Sequence, residues 1–378
     1  RSARTRPTRS WPTATPASKS MRIGIIGAGQ LGQMLGHAAR DLDVECRFVD
    51  PSDSPPAAEC GEVIQRPFDD AEALAELAAT CDVITYEFEN VPVEALQKLG
   101  DDIPVFPPAD ALRLAQDRLD EKRLFEQLEI PLPGYRPIDS REDIDAAVDA
   151  LGLPVVIKTR RFGYDGKGQF VVRDRSDIEK AWNELGGAAL IAEQWVPFDY
   201  EVSCIGVRNS DGDIAIYPLS RNVHEGGILR TSRSPVDNPD LAERAEGYMR
   251  RMLAHLDYVG VLALELFVRE DDLLANEFAP RVHNSGHWTI EGSQTSQFEN
   301  HLRAVMNRSL GSTASRGHAG MINLVGEIPD AARSLEAGVL HDYGKSARPG
   351  RKLGHITVTA DTATERDELV DIISGSVT

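Results

Sequence analysis

The stretch Val261–Ile290, VLALELFVREDDLLANEFAPRVHNSGHWTI, decides how the rest of this chain is read. VLALELFV and LLANEFA are apolar, β-prone runs separated by the polar Glu270-Asp271-Asp272, and Pro280 closes the second, so the pattern is that of a β-hairpin. A three-residue turn centred on Asp271 sets Glu265 opposite Glu277. Directly opposed residues of an antiparallel pair hold their Cβ atoms about 4.5–5.5 Å apart, where like charges repel. Two carboxylates so placed among apolar neighbours call for a cation between them, and oxygen donors suit Mg²⁺, which completes its shell with substrate phosphates. The alternative is a solvated hairpin face, which a one-residue register slip would produce. Asn276, Arg281, His283, Asn284 and His287 form a dense polar run beside the pair. His283 and His287 are spaced like zinc ligands, but Gly286 and Pro280 oppose a helix there and no third soft ligand is near, which argues against zinc.

At 378 residues the chain is long enough for two or three domains, and 41% hydrophobic with 27% charged residues makes it globular. No apolar run approaches the length of a membrane span. Cys46, Cys60, Cys81 and Cys204 show no CxxC spacing, as expected of reduced thiols in a cytoplasm. A net charge of −19 disfavours nucleic acid or an anionic membrane as partner and requires a locally basic pocket for any anionic substrate. Only eight of the 41 basic residues are lysines, and Lys158, Lys167, Lys345 and Lys352 fall in segments that stand out on other grounds.

Residues 1–20 carry five positive charges, no acid and three prolines, and read as a leader outside the fold. Met21–Ile26 reads as a buried strand, Gly27-Ala28-Gly29-Gln30-Leu31-Gly32 as a GxGxxG turn into a helix, and VECRFVD as a strand ending at Asp50. That pattern fits a βαβ unit with a phosphate-sized cradle, although the same loop can serve only to pack helix on sheet. Further strands at Asp82–Thr85 and Ile103–Phe106 alternate with helices Ala71–Ala79 and Pro92–Leu99, which indicates a parallel sheet. The acidic Tyr86-Glu87-Phe88-Glu89-Asn90 lies just past a strand end, where such sheets bind ligands. Leu112–Leu128 reads as one long helix, and a domain boundary is placed near residue 110. Lys158 and the loop Thr159–Gln169 bring four cations and three glycines between two strands, a composition suited to a polyphosphate. It is not a Walker A loop, and an ordinary glycine hairpin is the alternative. Asn222–Ser232 reads as an exposed, polar glycine segment, and Glu291–Leu310 as a helix. Lys345, Arg348, Arg351 and Lys352, bent by Pro349-Gly350, form a second candidate anion site, or else a solvated basic turn.

Taken together, GAGQLGQM, YEFENV, KTRRFGYDGKGQ, EQWV with DYEVS, NVHEGGILRTS, ELF with NEFAPRVHNSGHWT, and YGKSARPGRKLGH resemble the 5-(carboxyamino)imidazole ribonucleotide synthetase family of ATP-grasp ligases, in the same order from Met21 to about His355. The resemblance implies an α/β and α+β chain. Its parts would be a Rossmann-like pre-ATP-grasp domain (21–110), a two-part ATP-grasp domain (111–310, lid about 140–200) and a small C-terminal domain (311–378). It implies ATP-dependent carboxylation of 5-aminoimidazole ribonucleotide by bicarbonate through carboxyphosphate in purine synthesis, with ATP and Mg²⁺, in a cytoplasmic homodimer. Residue by residue, Arg118 and Lys158 would contact ATP phosphates beneath a mobile loop of Gly163, Tyr164, Asp165, Gly166, Lys167, Gly168 and Gln169. Glu193, Gln194, Trp195 and Val196 would line the adenine hinge, Glu201 would hold the ribose, and His224 and Asn276 would sit at the nucleotide. Glu265 and Glu277 would ligate Mg²⁺, in agreement with the hairpin derivation. Tyr164, Asp165, Lys167, Lys345, Arg348, Arg351 and Lys352 would bind the ribonucleotide, with Lys167 standing where some members have arginine. Arg281, His283, Asn284 and His287 would surround the carboxyl-transfer centre.

Two rivals remain from sequence. A glycinamide ribonucleotide transformylase- or biotin carboxylase-like ATP-grasp ligase would share the paired glutamates and the glycine loop but lack HNSGHW with the basic turn. An NAD(P)-dependent oxidoreductase, read from Gly27–Gly32 and Asp50, leaves the hairpin and both basic loops unexplained.

Overall fold

The computed structural model describes residues 20–100, 103–163 and 167–377. The leader expected at 1–20 therefore falls almost wholly outside the described residues, as do Tyr164, Asp165 and Gly166. Among the described residues the strands fall into three sheets that follow one another along the chain.

The first is parallel, with β1 (Arg22–Ile26), β2 (Glu45–Val49), β3 (Gly61–Ile64) and β4 (Val83–Tyr86) in the order β3-β2-β1-β4. Near-continuous apolar strands such as RIGII and VITY are what a sheet covered on both faces requires. Ile23, Ile25 and Phe48 pack against helix Gln30–Asp41, while Ile26, Val49 and Ile84 pack with Leu74, Leu77 and Leu96 on the opposite side. The strand expected at Ile103–Phe106 is reduced to one parallel bridge, Ile84 to Val105.

The second sheet is antiparallel, β5 (Tyr135–Ile138), β6 (Val155–Thr159), β7 (Gln169–Val172) and β8 (Leu190–Gln194), ordered β5-β8-β6-β7 and backed by helices Arg141–Leu151 and Ile178–Leu185. The third has nine strands: β9 (Tyr200–Arg208), β10 (Ile214–Ile216), β11 (Ser220–Glu225), β12 (Ile228–Ser234), β13 (Gly260–Arg269), β14 (Asp272–Ala279), β15 (His318–Val325), β16 (Val339–Asp342) and β17 (Lys352–Ala360). Its path runs β14-β13-β9-β11-β12-β15-β17-β16, so the C-terminal strands continue the sheet that carries the hairpin, joined where Thr231 pairs with Ile322.

Three local expectations are corrected. Leu112–Leu128 is two helices, Ala109–Ala115 and Arg118–Gln127, because Asp117 leaves helical geometry, accepts the Leu119 amide at 2.9 Å and pairs with Arg160 at 2.6 Å. A short acid that bonds the backbone ahead of it starts a helix rather than continuing one. Asn222–Ser232 is not an exposed loop but the β11–β12 hairpin, turned at Gly226 and Gly227 (φ +58° and +81°), with Asn222 and Ser232 buried. Glu291–Leu310 is likewise split into Thr289–Gly292 and Gln297–Val305, the latter started by Ser296, whose hydroxyl accepts from the Glu299 amide.

Candidate active site

The β13–β14 hairpin opposes Glu265 and Glu277, by a route other than the expected one. Arg269 pairs with Asp272, so the turn has two residues, with Glu270 in the left-handed region at φ +56°. That register alone would misalign the glutamates. A bulge corrects it: Leu266 pairs with Ala275 and Glu265 with Glu277, leaving Asn276 as an extra residue on β14. Leu273 and Ala275 face the core shared with helix Pro239–His255, and regular alternation would send Glu277 after them. With Asn276 inserted, Phe278 takes that core position and Glu277 joins Glu265 on the other face.

The pair is electrostatically unequal. Burial and the charge of Glu277 push the Glu265 carboxyl well above its ordinary value. Burial also opposes ionisation of Glu277, but Arg118, whose Nη1 lies 2.9 Å from Oε2, together with Lys158 and Lys122 outweighs this and holds it below the usual range. The Glu277 side chain stays 42% exposed to the cleft, against 12% for Glu265. His283 Nε2 is 3.1 Å from Glu265 Oε1, while its Nδ1 lies 2.8 Å from Ser285 Oγ. Burial and Arg281 keep this imidazole neutral, and because Nδ1 accepts from the Ser285 amide the ring proton lies on Nε2, the nitrogen beside Glu265.

Cations collect around this pair. Lys158 Nζ is 2.7 Å from Glu193 Oε2 and Lys122 Nζ is 3.6 Å from Oε1, all three side chains being largely buried. Burial lowers the Lys158 ammonium below its ordinary value against the pull of Glu193. Glu193 thus turns its carboxylate to the lysines rather than to open solvent. Gln194 and Trp195 are exposed, Val196 is half-buried, and Arg173 lies over the Trp195 ring at 5.7 Å. The glycine loop begins above them: Arg118 Nη2 donates to Gly163 O at 3.5 Å, and Gly168 takes φ +69° where a Cβ would lie 2.6 Å from Thr159 Oγ1. Lys167 and Gln169 complete the described part of the loop, with Gln169 paired to Lys158. His224 Nδ1 lies 2.5 Å from Glu201 Oε2; burial opposes its protonation, but Glu201, Glu265 and Glu277 together raise its pKa.

The carboxyl-transfer candidates separate. Arg281 reaches back to the first sheet, 3.1 Å from Glu89 Oε1, and His283 touches Glu265. Asn284 exchanges amide hydrogen bonds with Asn323 at 3.1 and 2.7 Å. His287 is fully buried behind them, against Phe298 and His355, so it does not reach the cleft. Its place in the motif is a packing position, linked to His283 through Gln297, which donates to the His283 carbonyl at 2.6 Å. The basic turn approaches from the C-terminal side: Lys345 Nζ donates to Gln30 Oε1, and Arg351 donates to Ser346 Oγ at 3.0 Å. Burial drives Lys345 down to about 8, partly offset by Glu87. Arg348 is exposed and Lys352 opens β17 within electrostatic range of Glu265. Sequence reasoning left out Lys122 and Glu121, whose only signal was membership of a scarce lysine set and of an amphipathic helix. It noted Glu87 and Glu89 only as a strand-end pair.

Carboxylates paired across a hairpin, a glycine loop on a separate antiparallel sheet, and Arg118, Lys122 and Lys158 gathered beside them define an ATP-grasp protein. Family models match in sequence order: the ribonucleotide synthetase preATP-grasp domain over residues 20–116, the ATP-grasp domain over 123–298, and the phosphoribosylaminoimidazole carboxylase C-terminal domain over 319–369. The N5-carboxyaminoimidazole ribonucleotide synthase of Pseudomonas aeruginosa is 48% identical over 355 residues, covering 93% of this chain and 98% of that protein. That of Bacillus subtilis is 38% identical, covering 89% and 90%. The crystal structure of the Thermus thermophilus synthetase superposes with a TM-score of 0.90 at 49% identity, covering 94% of this chain and 98% of that one. The Aspergillus clavatus enzyme, solved in complex with ADP and 5-aminoimidazole ribonucleotide, gives a TM-score of 0.87 at 31% identity, covering 95% and 99%. The chain belongs to the N5-carboxyaminoimidazole ribonucleotide synthase family.

Proposed function

We propose that this chain carboxylates 5-aminoimidazole ribonucleotide with bicarbonate at the expense of ATP, releasing ADP and phosphate, as a step of purine synthesis. A bicarbonate oxygen attacks the γ-phosphorus and ADP leaves, giving carboxyphosphate. The exocyclic amine of the ribonucleotide then attacks the carboxyl carbon, phosphate leaves, and the amine loses a proton. The observation that carries this reading is the Glu265–Glu277 pair, whose raised carboxyl and Arg118-stabilised carboxylate face each other across the hairpin as an all-oxygen donor set. That set fits Mg²⁺, which when bound neutralises phosphate charge and polarises the transferred phosphoryl group.

The chain's own groups do the rest. Arg118 and Lys158 meet the phosphates, and the loop of Gly163, Tyr164, Asp165, Gly166, Lys167, Gly168 and Gln169 closes over them. Excluding water matters because carboxyphosphate hydrolyses if it is not captured. The Glu193–Val196 backbone and the Trp195 ring flank the adenine, Glu201 and His224 hold the ribose end, and Asn276 lies beside the phosphates. Arg281 and His283 face the carboxyl group, with Asn284 and His287 fixing their backbone. Tyr164, Asp165, Lys167, Lys345, Arg348, Arg351 and Lys352 take the ribonucleotide and its phosphate. We assign the chain, as an enzyme of purine synthesis, to a homodimer acting in the cytoplasm. The test is ADP release, expected to require both bicarbonate and 5-aminoimidazole ribonucleotide. Release supported instead by formate or biotin overturns the substrate assignment.

A further inference from the structure

The bulge at Asn276 decides whether Glu277 faces Glu265, yet β14 is the edge strand of its sheet and, among the described strands, pairs with β13 alone. Edge strands accommodate bulges and also lose them easily, because nothing on the open side fixes the extra residue. Here the open side is gripped by one helix. Along Arg118–Gln127, Arg118 binds the Glu277 carboxylate at 2.9 Å, Lys122 Nζ donates to the Asn276 carbonyl, and Glu121 Oε1 accepts the Phe278 amide at 2.7 Å. Three consecutive residues of the bulged strand are thus held by three residues within two turns of helix. One residue further along the same edge, the Ala275 amide donates to Pro131 O at 2.7 Å.

We propose that Glu121 and Lys122 are positioning residues that set the metal-binding geometry of Glu277 by clamping the β14 bulge. Neither is assigned to substrate or metal. Both are buried, Lys122 with a side chain only 1% exposed, so their role is exerted through backbone atoms rather than through solvent. Lys122 carries its charge into this interior because Glu193 and the bulge carbonyl both receive it, as a buried ammonium requires. Burial lifts the Glu121 carboxyl to about 8, so near neutral pH it accepts from Phe278 without adding a third negative charge beside Glu277. Without the clamp, β14 relaxes toward regular alternation, which turns Glu277 toward the core occupied by Leu273 and Ala275.

The inference rests on the metal role assigned to Glu277 above, and its test reads metal binding rather than turnover. Mn²⁺ is titrated into the full chain with ADP and followed by electron paramagnetic resonance. Glu121→Leu and Lys122→Met are each expected to weaken Mn²⁺ binding tenfold or more. Glu121→Gln, which keeps a neutral acceptor for the Phe278 amide, is expected to stay within twofold of wild type. Glu121→Asp draws the acceptor back by one methylene and serves where the truncations do not fold; it is expected to weaken binding at least threefold. Wild-type Mn²⁺ affinity in a folded Glu121→Leu, Lys122→Met or Glu121→Asp protein overturns the clamp. A wild-type chain that binds Mn²⁺ with ADP but releases no ADP from ATP with bicarbonate and ribonucleotide overturns the catalytic reading and leaves the clamp standing.

Discussion

At the Gly27–Gly32 turn the protein supplies its own anions. The Ala28 amide donates to Asp50 Oδ2 at 2.9 Å, the Gly29 amide to Glu87 Oε1 at 2.6 Å, and the Gly27 amide to Val49 O at 2.9 Å. Asp50, the acid that an NAD-type reading assigns to a ribose, is buried and also accepts from the Ser52 amide at 2.8 Å. The β13–β14 hairpin does the opposite: it places two acids face to face, Glu277 paired to Arg118 and Glu265 beside the neutral His283 ring. Both segments are strong patterns in the sequence. One is a satisfied structural joint, and the other is a pair of acids whose ionisation is pushed in opposite directions, as at a ligand-binding site.

The largest expected effect lies in the hairpin. Glu277→Gln removes one oxygen anion from the pair and is expected to lower the rate of ADP release by about 10²-fold or more at limiting Mg²⁺, with little loss of fold. Wild-type turnover there would erase the contrast drawn above. A second consequence follows from the raised carboxyl of Glu265, since metal can bind only after that proton leaves. The Mg²⁺ needed for half-maximal velocity is expected to fall as pH rises, about tenfold per unit while Glu265 remains protonated. In the metal-free protein the sign is reversed. The folded state keeps a proton that the unfolded chain has released, so stability falls as pH rises from the ordinary carboxylate range through the raised value. A denaturant series at several pH values, with and without Mg²⁺ and ADP, reads both slopes.

Arg351→Glu sharpens the comparison at the third contributor to the cleft. It is expected to raise the KM for the ribonucleotide about tenfold while the KM for ATP changes little, as loss of a charge-assisted phosphate contact would. An unchanged ribonucleotide KM would remove the basic turn from the site. The smallest kinetic effect is expected at the glycine joint. Asp50→Ala leaves two amides, those of Ala28 and Ser52, without acceptors and is expected to cost about 1–3 kcal/mol of stability in urea unfolding, with the KM for ATP unchanged.

Much of this was legible in the chain itself. Period-two alternation located the hairpin, and the glycine and lysine pattern located the loop between β6 and β7. The opposition of Glu265 and Glu277 was reached through a three-residue turn, whereas the protein uses a two-residue turn and a bulge. The two routes agree because one residue fewer in the turn is balanced by one more in the strand. His287 shows the converse: its motif placed it at the chemistry, but packing against Phe298 and His355 withdrew it. Asp117 broke a helix that periodicity had carried through, because Arg160 lies beside it only in the folded protein.

What the sequence by itself determined is local: which segments are strands, which loops can approach a phosphate, and which acids lie near one another along a hairpin. These follow from backbone periodicity and from side-chain chemistry acting over a few residues. What only the tertiary structure decided is the direction in which those acids point and whether a glycine turn is empty or already filled. Glu277 faces Glu265 because residues 118, 121 and 122, more than 150 positions earlier, grip its strand. Ala28 and Gly29 are closed to phosphate because Asp50 and Glu87 fold onto them. Orientation and occupancy are set by partners distant in sequence, and such partners exist only after the chain has packed.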